Sequence, residues 1–141
     1  MNSVRFTVKD EKRNHEPPFD FEKLEVYQLA LEFLDRLFVV CRGLPRDMKY
    51  SVGDQLIRAA LSISNNLAEG AGKRSKKEKA RYYGTAIDSA RECISMLNVL
   101  SRQTQISDSH FGELRGAGRR ITGMLYGLIN SLDRTPYTVH R

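Results

Sequence analysis

No stretch of this chain is apolar for the roughly 20 residues that a membrane-spanning helix needs. Its first residues, MNSVRFTVKDEKRNHEPPFD, lack the apolar centre of a secretory signal. A cytoplasmic location with no membrane partner is the expectation. Cysteine is scarce. Cys41 and Cys93 both fall on apolar helical positions, so buried thiols fit better than a disulfide, a metal site or a nucleophile. Histidine is scarce too. His15, His110 and His140 lie in or near the termini and a loop, and none follows a glutamate at the Glu-x-x-His spacing of a di-iron bundle. No Ser/His/Asp or Cys/His set stands out. The chain is therefore expected not to be an enzyme, to hold no metal and to need no cofactor. Convincing strand patterns are also missing.

What is present is a helical chain of 141 residues, 40% apolar and 28% charged, enough for one domain with a real core. Residues 1–20 read as a polar arm stopped by Pro17-Pro18, residues 21–133 as the folded domain, and residues 134–141 as a tail. The first helical stretch, Phe21 to about Arg42, carries two apolar stripes. One is Leu24, Tyr27, Leu31, Leu34, Phe38 and Cys41; the other is Val26, Ala30, Phe33, Leu37 and Val40. Together they cover an arc of about 200°, twice that of an ordinary surface helix, so this helix must be covered on two sides. Gly43 and Pro45 end it.

The second stretch is expected to start at Ser51, with Asp54 three residues on as in a capping box. Val52, Leu56, Ala59, Ile63 and Leu67 form its core stripe. Gln55, Arg58, Ser62, Asn65 and Glu69 form a second, polar stripe, which is either a solvated face or a subunit contact rich in hydrogen bonds. A third helix starts at Ser75 with Glu78 at the capping-box position, and Tyr83, Ile87, Ala90, Ile94 and Leu97 are its core. The fourth starts near Ser107 or Asp108 and runs on Phe111, Leu114, Gly118, Ile121, Leu125, Leu128 and Leu132. Away from that stripe, Gly112, Gly116, Gly123 and Gly127 share an arc of about 60°, where each costs roughly 0.5–1 kcal/mol against alanine. Such a face points to close approach by a neighbour, the alternative being loose selection on an exposed face. The expected fold is all-α, an antiparallel up-down four-helix bundle. Its surplus of apolar and small-residue surface makes a homo-oligomer the expected state.

The charge is concentrated. From Lys73 to Arg81 six cations accompany one anion, a surplus of +5 against a whole-chain charge of +6. Lys73, Arg74, Lys76, Lys77, Lys79 and Arg81 span a helix N-terminus, where the helix dipole disfavours cations, so Lys76, Lys77 and Lys79 are not expected to serve helix stability there. Arg115, Arg119 and Arg120 add a second set on the fourth helix. These nine residues are the expected polyanion-binding residues, with nucleic acid as partner. A solvated charge run is the bland alternative. The segment GAGKRS resembles a phosphate loop only superficially: Leu67 holds the first glycine position, Arg74 follows Lys73, and a helix precedes it.

The run Phe21-Glu-Lys-Leu24-Glu-Val26-Tyr27-Gln28, with Leu44-Pro45, Gln55-Leu-Ile-Arg58-Ala59-Ala60, Ser62-Ile63-Ser-Asn65-Asn66-Leu-Ala68-Glu69-Gly70 and Ser89 to Glu92, resembles the bacterial four helix bundle protein family. That family is also known as the 23S rRNA intervening-sequence proteins. The resemblance covers about residues 21–132; Asp88 departs from it, standing where the family usually has glycine. It implies a homopentamer of antiparallel bundles arranged as a barrel and no known catalysis. Accessory variability determinants of diversity-generating retroelements share this fold, and they bind nucleic acid and a reverse transcriptase through a basic surface. Only the idea of a basic binding surface carries over. The resemblance also marks Asn66, Glu69 and Gly70 as structural residues closing the second helix, with Glu69 a partner for Arg58 or Lys73, while Arg58 and Asn65 are expected assembly residues from their place on the polar stripe. The functional expectation is a non-enzymatic, homo-oligomeric adaptor binding RNA or DNA, with a reverse transcriptase as a further partner by that relationship. The opposing reading is a structural or protein-interaction module.

Overall fold

The computed structural model describes residues 16–133. The expected tail and most of the expected arm lie outside them. Among the described residues there are four long helices and no strand: α1, Glu25–Arg42; α2, Asp54–Ala71; α3, Lys76–Arg102; and α4, Asp108–Leu132. Each packs on its neighbours in sequence, and α4 closes the ring against α1. The links between α2 and α3 and between α3 and α4 are too short for anything but antiparallel pairing.

The end of the expected arm belongs to the fold. A 3-10 turn, Asp20–Lys23, leads into α1. Phe19 stacks on Phe21 at 5.8 Å, and Phe21 meets Tyr27 edge-on at 5.0 Å between ring centroids. In α1 the stripe Val26, Ala30, Phe33, Leu37 and Val40 is wholly buried. The parallel stripe is only part covered: Leu34 and Cys41 are buried, Leu31 is half-buried and Phe38 is exposed. Gly43 closes the helix, and Leu44 tucks into the core before Pro45 turns the chain.

The start expected for the second helix is corrected. Ser51 sits inside a π-helical turn, Lys49–Gly53, that follows a short helical run, Arg46–Met48. Its hydroxyl donates backwards to the Asp47 carbonyl at 2.7 Å instead of accepting from the helix, and regular α2 begins only at Asp54. The two later starts stand. Ser75 Oγ accepts from the Glu78 N–H at 3.0 Å, and Ser107 Oγ accepts from the His110 N–H at 3.1 Å. Each such cap contributes about 1 kcal/mol. Ile106 and Phe111 flank the second cap and both pack on the core, at the positions of a hydrophobic staple.

Between α3 and α4 the chain reverses in a Schellman turn. The Gln105 N–H bonds the Leu100 carbonyl at 2.9 Å, and the Thr104 N–H bonds the Ser101 carbonyl at 3.0 Å. Thr104 takes the left-handed conformation there, with φ at 56°.

Candidate nucleic-acid interface

The residues of the block Ser62 to Gly70 hold α2 against α3. Ser62 Oγ lies 2.7 Å from Ser89 Oγ, and Asn66 Nδ2 donates to the Ser62 carbonyl at 2.8 Å and to its hydroxyl at 3.0 Å. Ser89 is buried, and among the described residues no buried side-chain nitrogen or oxygen lacks a partner. Ile63 lies in the core beneath this clasp. Gly70 lies under the start of α3, where a Cβ would stand 2.8 Å from the Tyr83 ring and 2.9 Å from Tyr82 Cβ. Asn65 is exposed, and so is Asp88, while its neighbour Ser89 makes the close contact of that turn of α3. Glu69 pairs with Lys73 at 3.8 Å rather than with Arg58. Arg58 instead rims a cleft of about 430 Å³ between α1 and α2, beside exposed Phe38.

The six cations at the α2–α3 junction divide into distinct roles. Lys79 reaches across the junction and donates to the Ala71 carbonyl at 2.8 Å and the Gly70 carbonyl at 3.4 Å. It therefore caps the C-terminal, negative end of α2, and the expectation that it serves no helix is corrected. Lys73 sits 5.1 Å above the Tyr82 ring centroid, and the Arg81 guanidinium lies 5.8 Å from the same ring. Both distances are within cation–π range. Arg74, Lys76 and Lys77 have no ion pair or side-chain hydrogen bond among the described residues; Arg74 precedes the Ser75 cap, and Lys76 and Lys77 are the first two residues of α3. An anion seated there meets both the ammonium groups and the positive end of the helix.

The three arginines of α4 also separate. Arg120 faces α1 and pairs with Glu25 at 3.1 Å, on the same edge of α4 as Glu113, which pairs with Arg36 at 3.1 Å. Arg115 and Arg119 face the other way, into a groove of about 330 Å³ between α3 and α4. Arg91 of α3 joins them there. Sequence reading missed Arg91, because only the packing of α3 on α4 brings it beside residues 24 and 28 positions away. The seven-residue spacing of Lys77, Gly84, Arg91 and Asn98 was the available signal.

Neither thiol is poised for chemistry. Burial, then Glu92, pushes Cys93 up to about 12, while burial and Asp54 raise Cys41. Cys93 Sγ lies 4.0 Å from the Leu56 carbonyl and Cys41 Sγ lies 3.6 Å from that of Gly53. Burial, then Asp20, also raises Tyr83. Among the described residues no three His, Cys, Asp or Glu side chains could together hold a metal ion, and no helix is long and apolar enough to cross a membrane.

A crystal structure of a protein of unknown function from the S23 ribosomal protein family of Bacteroides thetaiotaomicron shares this fold. Its TM-score is 0.69 at 23% identity, over 74% of this chain and 95% of that one. No curated protein matches the chain. The family model described as 23S rRNA-intervening sequence protein matches residues 22–127, from the turn before α1 to the last turns of α4, and the chain belongs to that family.

Proposed function

We propose that this protein is a non-enzymatic, homo-oligomeric adaptor that binds nucleic acid, RNA in the first place, through its basic surface. The carrying observation is the set of uncommitted cations Arg74, Lys76 and Lys77 at the N-terminus of α3, flanked by Lys73 and Arg81 on Tyr82. Opposing carboxylates are few: Glu69 takes Lys73, and Glu78 lies within the cluster. Repetition of this patch on an oligomer multiplies weak phosphate contacts by avidity. RNA is favoured by the family's association, in its description, with an rRNA intervening sequence. The non-enzymatic part is supported by two thiols held neutral by burial and by a signature block devoted to helix packing. The chain's own residues supply no argument for a reverse transcriptase as a partner.

A salt titration tests the reading. With Z phosphates contacted, log K falls with log salt at roughly −0.7Z for a single strand and −0.9Z for a duplex. Charge reversal at Lys73, Arg74, Lys76 and Lys77 is expected to weaken binding strongly and flatten that slope. The fold should persist, since exposed charges contribute little to stability. Absence of binding at low salt overturns the reading and leaves the protein-interaction alternative, to which exposed Phe38, Tyr50 and Leu61 would belong.

A further inference from the structure

The α3–α4 groove has three arginines on its rim and no carboxylate in its lining. Arg91, Arg115 and Arg119 are all exposed, and none of their guanidinium groups has an ion-pair or hydrogen-bond partner among the described residues. The opposite edge of α4 is neutralised by its pairs with Glu25 and Arg36. Three guanidinium groups left around one concavity repel one another until a polyanion enters, and a guanidinium fork matches phosphate oxygens. The floor is shallow because Gly118 lets α3 approach. A Cβ there would lie 2.5 Å from Ile94 Cδ1.

Along α3 the groove and the junction patch share one helix face, on which the exposed carboxylate of Asp88 stands between them. Lys77, Gly84, Arg91 and Asn98 recur every seven residues, which keeps them on one slowly drifting stripe of α3 about 31 Å long. Gly84 leaves the middle of that stripe open, with no atom within 4 Å of where its Cβ would be. On α4 the matching stripe runs Arg115, Arg119, Thr122 and Tyr126. Because α4 is antiparallel to α3, Tyr126 falls between the groove and the junction, and it is 53% exposed. Arg115 and Arg119 stand one helical turn apart, about 6 Å, a spacing comparable to that of neighbouring phosphates on one strand.

Resting on the reading of this surface as nucleic-acid-binding, we propose that the groove is a single-strand site. One RNA strand runs from the junction along α3 into the groove. Arg91, Arg115 and Arg119 hold its phosphates and Tyr126 stacks against a base. Ser95, Asn98 and Thr122 line the same groove, and their hydroxyl and amide groups suit the ribose 2′-hydroxyl, which is what distinguishes RNA from DNA at a site. A concavity between two packed helices admits a strand but not the girth of a duplex.

The test is fluorescence anisotropy with a labelled uridine oligonucleotide, the matching deoxyuridine oligonucleotide and an RNA duplex. Circular dichroism melts confirm that every variant folds. The triple variant Arg91→Ala, Arg115→Ala, Arg119→Ala is expected to lose at least tenfold in uridine-strand affinity. Its salt slope should become shallower by about 2, from three contacts at roughly 0.7 each. Tyr126→Ala is expected to weaken the same strand several-fold without changing the slope. Lys23→Ala, Arg36→Ala and Arg46→Ala together remove equal charge elsewhere and, acting only through net charge, should stay within about twofold of the unaltered protein. If the groove variant matches this control while reversal at Lys76 and Lys77 abolishes binding, the groove is not a site and the general reading stands. If the unaltered protein binds none of the probes, both fail. Equal affinity for the deoxyuridine strand overturns the assignment to RNA.

Discussion

At the scale of single residues, two backbone positions carry opposite lessons. Thr104 is a β-branched residue in a left-handed conformation that glycine adopts freely. That conformation costs an L-residue roughly 1–2 kcal/mol. Thr104→Gly is therefore expected to stabilise the fold by about 0.5–1 kcal/mol, part of the relief being lost to glycine's freer unfolded state. A higher urea midpoint at unchanged slope is the readout; no rise would mean the turn is not strained at Thr104. Gly70 is the reverse case. The Tyr83 ring and Tyr82 Cβ around it cannot swing away as the end of a flexible chain could. Overpacking there costs about 1–3 kcal/mol, against a gain in helix propensity of at most about 1 kcal/mol. Gly70→Ala should lower the melting temperature, and an unchanged melt would show that α3 yields. The motif made Gly70 legible as structural. Thr104 was not legible, because a left-handed threonine is what composition argues against.

Among whole elements, legibility followed how local each signal was. The caps of α3 and α4 could be read because the bond from Ser75 to Glu78 and that from Ser107 to His110 each close over three residues. The wholly buried stripe of α1 could be read because burial follows the helical period. The entry to α2 could not. Ser51 and Asp54 offer the spacing of a capping box, but Gly53 is buried, with Leu44 Cδ1 3.3 Å and Cys41 Sγ 3.6 Å from where its Cβ would be. That packing holds the chain in a π turn and sends the Ser51 hydroxyl back to Asp47. Lys79 failed in sequence for a related reason. Assigned to its own helix it is a badly placed cation at a positive end, whereas in the fold it serves the negative end of the preceding helix. The candidate site divides in the same way. The uncommitted trio Arg74, Lys76 and Lys77 stood out as a charge run, while the pairing of Arg120 with Glu25, 95 residues away, and the arrival of Arg91 in the groove depend on which helices become neighbours.

For the whole molecule the open question is what covers the surfaces that one chain leaves bare. Phe38, Val39, Leu61 and Tyr50 are exposed on or beside α1 and α2, and Gly112, Gly116, Gly123 and Gly127 look into open space. Among the described residues, then, nothing comes within 4 Å of a Cβ on the glycine face of α4, although four glycines in one helix cost roughly 0.5–1 kcal/mol each. If that cost has a return, it lies between copies, where small residues let backbones come close. Sedimentation at micromolar concentration is expected to show an oligomer and no monomer; the number five rests on the family resemblance alone. Gly116→Ala with Gly123→Ala then separates two meanings of the face. In a subunit contact the added methyl groups hold the backbones apart, and the sedimentation coefficient should fall even though each helix is intrinsically stronger. On a solvated face the same pair should leave assembly intact and raise stability by about 1–2 kcal/mol in sum, from helix propensity. The first outcome is the one expected here. The second would confine assembly to the apolar residues of α1 and α2, and it would make the glycines a lightly constrained outer surface beside the arginine groove.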